Sequence, residues 1–535
     1  MTISTARPID IGIFVISLVV TLVVGLSYGR SVKTLKDYAL GGKNFSTGTL
    51  VATIIATWIT GSFLTWRIDD IYHNGLYAII LYLCDIGTLL ITGWVLAVRM
   101  GPFVGKTSIA EAMGDLYGRP IRVITAIFSL LVTIGLVALQ FKTGEAVFSM
   151  LLGWDNISTQ VFIGAIIIFY SSLGGIRAVT FTDVIQFFTF GTLIPVLTLV
   201  VWNNVHNFDK VRTLFQTASN FNLSAFISTA DSDKKWAFLT LIPLYLIPAF
   251  SPPIFQRATI VKSVKQVRKA FLYSALLCFF LLLFIIWIAI IVRADNHNLE
   301  LGNVFQYIVN SYVSVGMAGM LLAGLMAMIM STADSNLNIA SVILADELAA
   351  TKLFSAYSQS VTPQKRERSK LLIARCSNVL LGLLALYLSL HPKSYLFSSL
   401  VLKAWDFYMP VVSVPLLLAI MGFRSTTIPV LIGMIAGFGT VVIWENFVPY
   451  NYQDGCMPGM LANCLGLLGS HYLLRVPGGW QFFHATDSLV LKRATRRQAW
   501  QRRFQAIRSF RLTSYLQQNL PAEESFYFFF GFYAM

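Results

Sequence analysis

Apolar residues along this 535-residue chain fall into long runs separated by short polar stretches. A run of about 20 residues is long enough to cross a bilayer as a helix, and in lipid only helices or closed barrels satisfy every backbone polar group. The runs predict helices over 10–29, 46–66, 77–99, 122–141, 159–176, 181–203, 237–256, 270–293, 312–345, 372–390, 397–421, 427–447 and 457–475. Two of them are interrupted. Thr57-Trp58-Ile59-Thr60-Gly61-Ser62 breaks 46–66 at its centre, and Pro243, Pro248, Pro252 and Pro253 break 237–256. Proline removes a backbone donor and clashes with the preceding turn. Each interrupted helix opens a group of five, 46–203 and 237–421. That is the pattern of an inverted repeat whose unwound segments meet near the membrane midplane. The run 312–345 is unusual in another way: Ser331, Thr332, Asp334, Ser335, Asn336 and Asn338 arrive within about two turns.

Composition agrees with a multi-pass membrane protein. Hydrophobic residues make up 56% of the chain, charged residues only 12%, and the mean hydropathy is +0.69. A soluble protein carries about twice that charged share. The net charge of +15 does not require nucleic acid, because Lys and Arg collect in the cytoplasmic loops of polytopic proteins. Loops rich in Lys33, Lys36, Lys106, Arg119, Lys262, Lys265, Lys365 and Arg366 alternate with loops carrying Asp69, Asp70, Asp231, Asp233 and Asp295. The alternation predicts an N-terminus outside and a C-terminus inside. Residues 1–475 then form one transmembrane domain, and 476–535 a basic cytoplasmic tail. The tail holds "KRATRRQAWQRRFQAIRSFR", suited to anionic lipid headgroups, and ends in a short apolar segment. Cys84, Cys278, Cys376, Cys456 and Cys464 show neither pairing nor metal spacing. The run 10–29, with Arg7 alone ahead of it, reads as a first helix and not a cleaved signal. A Ser-His-Asp set, clustered His or Cys ligands and a phosphate loop are all missing, so the expectation is no enzyme and no cofactor.

Tyr170 to Gln186 read "YSSLGGIRAVTFTDVIQ". Gly174-Gly175 suit a tight turn, and Thr182 and Asp183 are expected to cap the helix that follows. With "DYALGGKNF" (37–45), "FQRATIVKSVKQVRKAF" (255–271) and "MSTADS" (330–335), the chain resembles the sodium/solute symporter family, which includes sodium/proline, sodium/pantothenate and sodium/sugar carriers. The resemblance covers roughly 10–475. It implies an all-α polytopic membrane protein of LeuT type with about 13 helices. It further implies a secondary transporter of a bacterial cytoplasmic membrane, coupling inward sodium flux to uptake of an amino acid, vitamin or sugar by alternating access.

Sodium is a hard cation that prefers oxygen ligands. By the same resemblance its site uses the backbone of Ala56 and Ile59, the carbonyl of Met328 and the hydroxyls of Ser331 and Thr332. The alternative is that both hydroxyls bond back to their own helix carbonyls. Asp183, Asp334 and Ser335 are placed to hold a second cation, with proton coupling through Asp334 as another reading. Asp334 at a hydrated cytoplasmic mouth is the competing account. Expected substrate-facing residues are Trp58, Thr60, Ser62, Asp85, Gln140 and Tyr245. Trp58 stands where the proline carriers have an acidic residue, so proline specificity does not carry over. Lys403 and Asp406 are spaced to neutralise each other. A second functional reading is the solute-sensing receptor domain of a symporter-like histidine kinase, truncated or split from its kinase, which would then be a separate partner.

Overall fold

The long apolar runs are helices in the computed structural model, which describes residues 7–29, 32–205, 207–224, 232–351, 360–392, 403–448 and 455–481, with Phe354 and Gln498 as single positions. The expected basic tail beyond Gln481, apart from Gln498, and the start of the expected helix 397–421 lie outside them. The long helices are α1 (Pro8–Gly29), α2 (Thr47–Trp58), α3 (Gly61–Asn74), α4 (Leu76–Ile91), α5 (Arg119–Leu152) and α6 (Asn156–Val205). They continue with α7 (Ser232–Leu246), α8 (Pro252–Thr259), α9 (Val264–Asp295), α10 (Met317–Ala349) and α11 (Pro363–Leu390). The last three are α12 (Ala404–Met421), α13 (Thr427–Phe447) and α14 (Cys456–Leu473). A two-residue antiparallel pairing joins Phe423–Arg424 to Gly479–Trp480.

Nine of the described helices are long and apolar enough to cross a membrane alone, and α2 with α3 forms a further span bent by 58°. Their outward faces are greasy. Ile16, Val19 and Val23 on α1 and Leu380 and Leu383 on α11 are exposed, as lipid contact requires. The opposite case is α10. From Met317 to Ile343 every residue except Met320 is buried, and α10 packs against α1, α5, α6 and α11. A helix buried all round belongs at the centre of a bundle.

Several boundaries differ from expectation for local reasons. The run 122–141 extends to Arg119–Leu152. The run 312–345 begins only at Met317, because Gly316 at φ +82° separates it from a short helix, Val304–Tyr312. Expected helices 159–176 and 181–203 meet without a loop at Gly175, whose φ of +59° sets a sharp kink. A β-carbon there would lie 2.8 Å from the Tyr38 ring and 3.1 Å from the Tyr38 Cα. The new helical segment therefore starts at once, and Thr182 and Asp183 sit two turns inside it. They do not cap it. Thr182 donates to the carbonyls of Ala178 and Val179.

Gly175→Ala is expected to destabilise the fold by about 1–2 kcal/mol for the left-handed backbone alone, and by more for the Tyr38 contact. Thermal unfolding of the detergent-purified protein checks this. An unchanged midpoint would contradict the assigned strain.

Candidate functional site

The break between α2 and α3 follows from its polar residues. Ile59 takes an extended conformation and ends α2. Thr60 caps α3, its hydroxyl accepting from Phe63 N at 3.1 Å. The Gly61 N–H donates to Gln140 Oε1 at 3.1 Å. Two of the orphan amides that a helix start leaves are thus satisfied. Gly61 also lets α3 approach α10, since a β-carbon there would lie 2.5 Å from Ile329 Cγ1.

The second break lies between α7 and α8. Phe250 has φ of +47°, and the backbone there cannot use helical hydrogen bonds. Two side chains of α12 take its carbonyls: Tyr408 donates to Phe250 O at 2.8 Å and Ser413 to Ala249 O at 2.5 Å. Non-helical backbone at membrane depth survives only with such partners.

Opposite the first break, α10 presents its oxygens. Ser331 Oγ lies 2.8 Å from Ala56 O and 3.0 Å from Met328 O. In a continuing helix the Ala56 carbonyl would accept from the residue-60 amide; the break frees it. The back-bonded alternative accounts for only half of what Ser331 does, because its hydroxyl also reaches across to α2. Thr332 Oγ1 is buried with no hydrogen-bond partner among the described residues. Ile59 is fully buried at the end of α2.

The expected second cation group meets a residue that sequence reasoning did not single out. Arg257, fully buried on α8, donates to Ser335 Oγ at 2.6 Å and to Asp183 Oδ2 at 3.3 Å. It also donates to Thr53 Oγ1 and Gln256 Oε1, each at 3.0 Å, and Thr53 in turn donates to Asp183. A guanidinium already stands against two of the three proposed ligands. Asp334 is fully buried and accepts from Tyr170 OH, so it is not at a hydrated mouth. Arg257 lay in the quoted stretch "FQRATI", and the available signal was a charge one turn past two prolines at membrane depth. The asparagines fall into place here. Asn338 Oδ1 accepts from Gln256 at 3.2 Å, and Asn336 lines the central cavity.

That cavity has a volume of about 530 Å³. Trp58, Thr60, Ser62, Asp85 and Tyr245 line it, together with Thr332. Gln140 does not line it among the described residues; it braces Gly61 instead. Arg67 and Asp406 line it as well, and Arg67 pairs with Asp85. Asp406 is not held by Lys403 as the spacing suggested: Lys403 pairs with Glu445.

Comparison with known proteins agrees with this architecture. The model of the sodium:solute symporter family matches residues 38–437. The chain is 23% identical over 482 residues to the high-affinity proline transporter PutP of Bacillus subtilis, covering 85% of this chain and 96% of that protein. It is 23% identical over 461 residues to the sodium/sialic acid symporter NanT of Aliivibrio fischeri, covering 81% and 86%. A Na+-coupled sialic acid symporter, solved in a substrate-bound outward-open state, superposes with a TM-score of 0.76 at 17% identity, covering 89% of this chain and all of that one. The fold is of LeuT type.

Removing one member of the Arg257 cluster leaves a buried charge uncompensated. Arg257→Leu is expected to cost about 3–5 kcal/mol, and adding Asp183→Asn should recover most of the loss. Thermal unfolding of both variants measures this, and equal stability of wild type and Arg257→Leu would contradict the pairing.

Proposed function

The chain belongs to the sodium:solute symporter family, and on that premise we propose which of its atoms couple sodium to solute. It is a multi-pass integral membrane transporter that couples sodium to uptake of a small organic solute. A bacterial cytoplasmic membrane is the setting that its bacterial relatives favour.

The sodium site is the group at the first break: the Ala56 and Met328 carbonyls, the Ser331 and Thr332 hydroxyls, and the Ile59 backbone. The observation that carries this reading is Ser331 Oγ within 3.0 Å of carbonyls from two different helices. Carbonyls and hydroxyls are the ligands a hard monovalent ion accepts. The C-terminal end of α2 adds the negative end of a helix dipole. An ion bound there ties α2 to α10, and both helices contribute to the cavity through Trp58, Thr332 and Asn336. Sodium occupancy therefore shapes the wall that meets solute, and this supplies the differential affinity alternating access needs.

Asp183, Asp334 and Ser335 act differently. Arg257 places a guanidinium against Asp183 and Ser335, where a second sodium would otherwise sit, and we assign a single sodium, to the first break. Asp334, held by Tyr170, braces α10 against α6.

Proteoliposomes presented with a panel of external candidate solutes under an inward sodium gradient test the reading. Wild type should show sodium-driven uptake, and Ser331→Ala with Thr332→Ala should lose its sodium dependence. Wild-type sodium affinity in the double variant would remove the ligand assignment. Uptake driven by a pH gradient in sodium-free buffer would transfer the coupling to protons.

A further inference from the structure

The cavity wall contains a basic group that neither the sodium site nor the Arg257 cluster uses. Arg67 lies on α3 and lines the cavity. Its side chain is only 10% exposed. The guanidinium carbon stands 3.7 Å from the centre of the Phe63 ring and 4.2 Å from that of Tyr82. The two aromatic faces hold the guanidinium plane in one orientation. One amino group, Nη2, donates to Asp85. The other, Nη1, is buried and has no hydrogen-bond partner among the described residues.

An arginine fork offers five donors and strongly prefers planar oxyanions. A buried donor left unmatched is costly, and this one borders the space where solute must sit. The backbone points the same way. The N-terminus of α3 opens on the cavity at Thr60, Ser62 and Phe63, and the positive end of a helix dipole favours an anion. Charge balance is consistent. The Arg67–Asp85 pair is neutral, so an anionic group beside it would be offset by the sodium that enters with it.

We propose that the transported solute carries a carboxylate and that Arg67 is the residue that receives it. This rests on the symport reading above and adds the chemical class of the cargo. The carboxylate can belong to an amino or imino acid or to an acidic sugar. Asp85, on the same wall, would take an ammonium group in the first case.

Uptake of radiolabelled solutes into proteoliposomes under an inward sodium gradient, which registers electroneutral and electrogenic transport alike, separates the outcomes. The probes are L-proline and other amino acids, N-acetylneuraminate, hydroxy acids, the amides of these acids, glucose and choline. Uptake is expected of carboxylates and not of their amides, glucose or choline. Uptake of proline-type solutes without neuraminate assigns the acid to the amino-acid class, and the reverse assigns it to acidic sugars. Arg67→Gln should weaken the apparent affinity for the acid about a hundredfold, Arg67→Lys about tenfold, and Arg67→Gln should erase the preference for acid over amide. Sodium-dependent thermal stabilisation of Arg67→Gln reports that the variant is folded and still binds the ion. Uptake of carboxylate-free solutes alone, or an acid-to-amide preference unchanged in folded Arg67→Gln, overturns the inference and leaves symport standing. No uptake of any probe counts against the symport reading and the inference with it.

Discussion

Ser331 Oγ lies 2.8 Å from the Ala56 carbonyl and 3.0 Å from the Met328 carbonyl, and the first of these oxygens is left without a helical partner where α2 stops. Were the helix to continue past Ile59, the Ala56 oxygen would also be held in its own ladder and would have less to offer an ion. The residues around the break keep it open. Thr60 restarts the chain as a cap, Gln140 takes the Gly61 amide, and Gly61 allows α3 to lie close to Ile329 of α10. The second break is stabilised independently by Tyr408 and Ser413. A bundle in lipid gains little from apolar contact between helices, because lipid tails are equally apolar. Polar satisfaction at the breaks is therefore what selects this arrangement.

The two polar clusters on α10 divide the work. One, at Ser331 and Thr332, consists of neutral oxygens and faces the broken helix. The other, at Asp334 and Ser335, is built on charges that are already matched or hydrogen-bonded by Arg257 and Tyr170. A permanent guanidinium cannot leave with the solute, whereas an ion held by neutral oxygens can. The distinction explains why a helix at the centre of the bundle carries both hydroxyls and carboxylates within two turns.

Much of this was legible in the sequence because it depends on short-range chemistry. The apolar runs marked the spans, Thr57 to Ser62 marked the first break, and the prolines from Pro243 to Pro253 marked the second. The hydroxyls of Ser331 and Thr332 stood out against their apolar surroundings. Long-range pairing was not legible. Arg257 meets Asp183 across 74 positions, and no local pattern announces that contact. Arg67 lies one residue past the predicted helix 46–66, and nothing in the sequence showed that α3 would run on to Asn74 and turn this arginine onto Phe63 and Tyr82. Gln140 was expected at the solute and instead braces the backbone that forms the cavity. Asp183 was expected at a helix start, but the kink fell at Gly175, two turns earlier.

Coupling rests on one ion at one cage. Equilibrium binding of radiolabelled sodium to the purified full-length chain tests this most directly. The predicted result is one saturable sodium per chain in the wild type and none in Ser331→Ala. Two sodium ions per wild-type chain, or undiminished binding in Ser331→Ala, would contradict it.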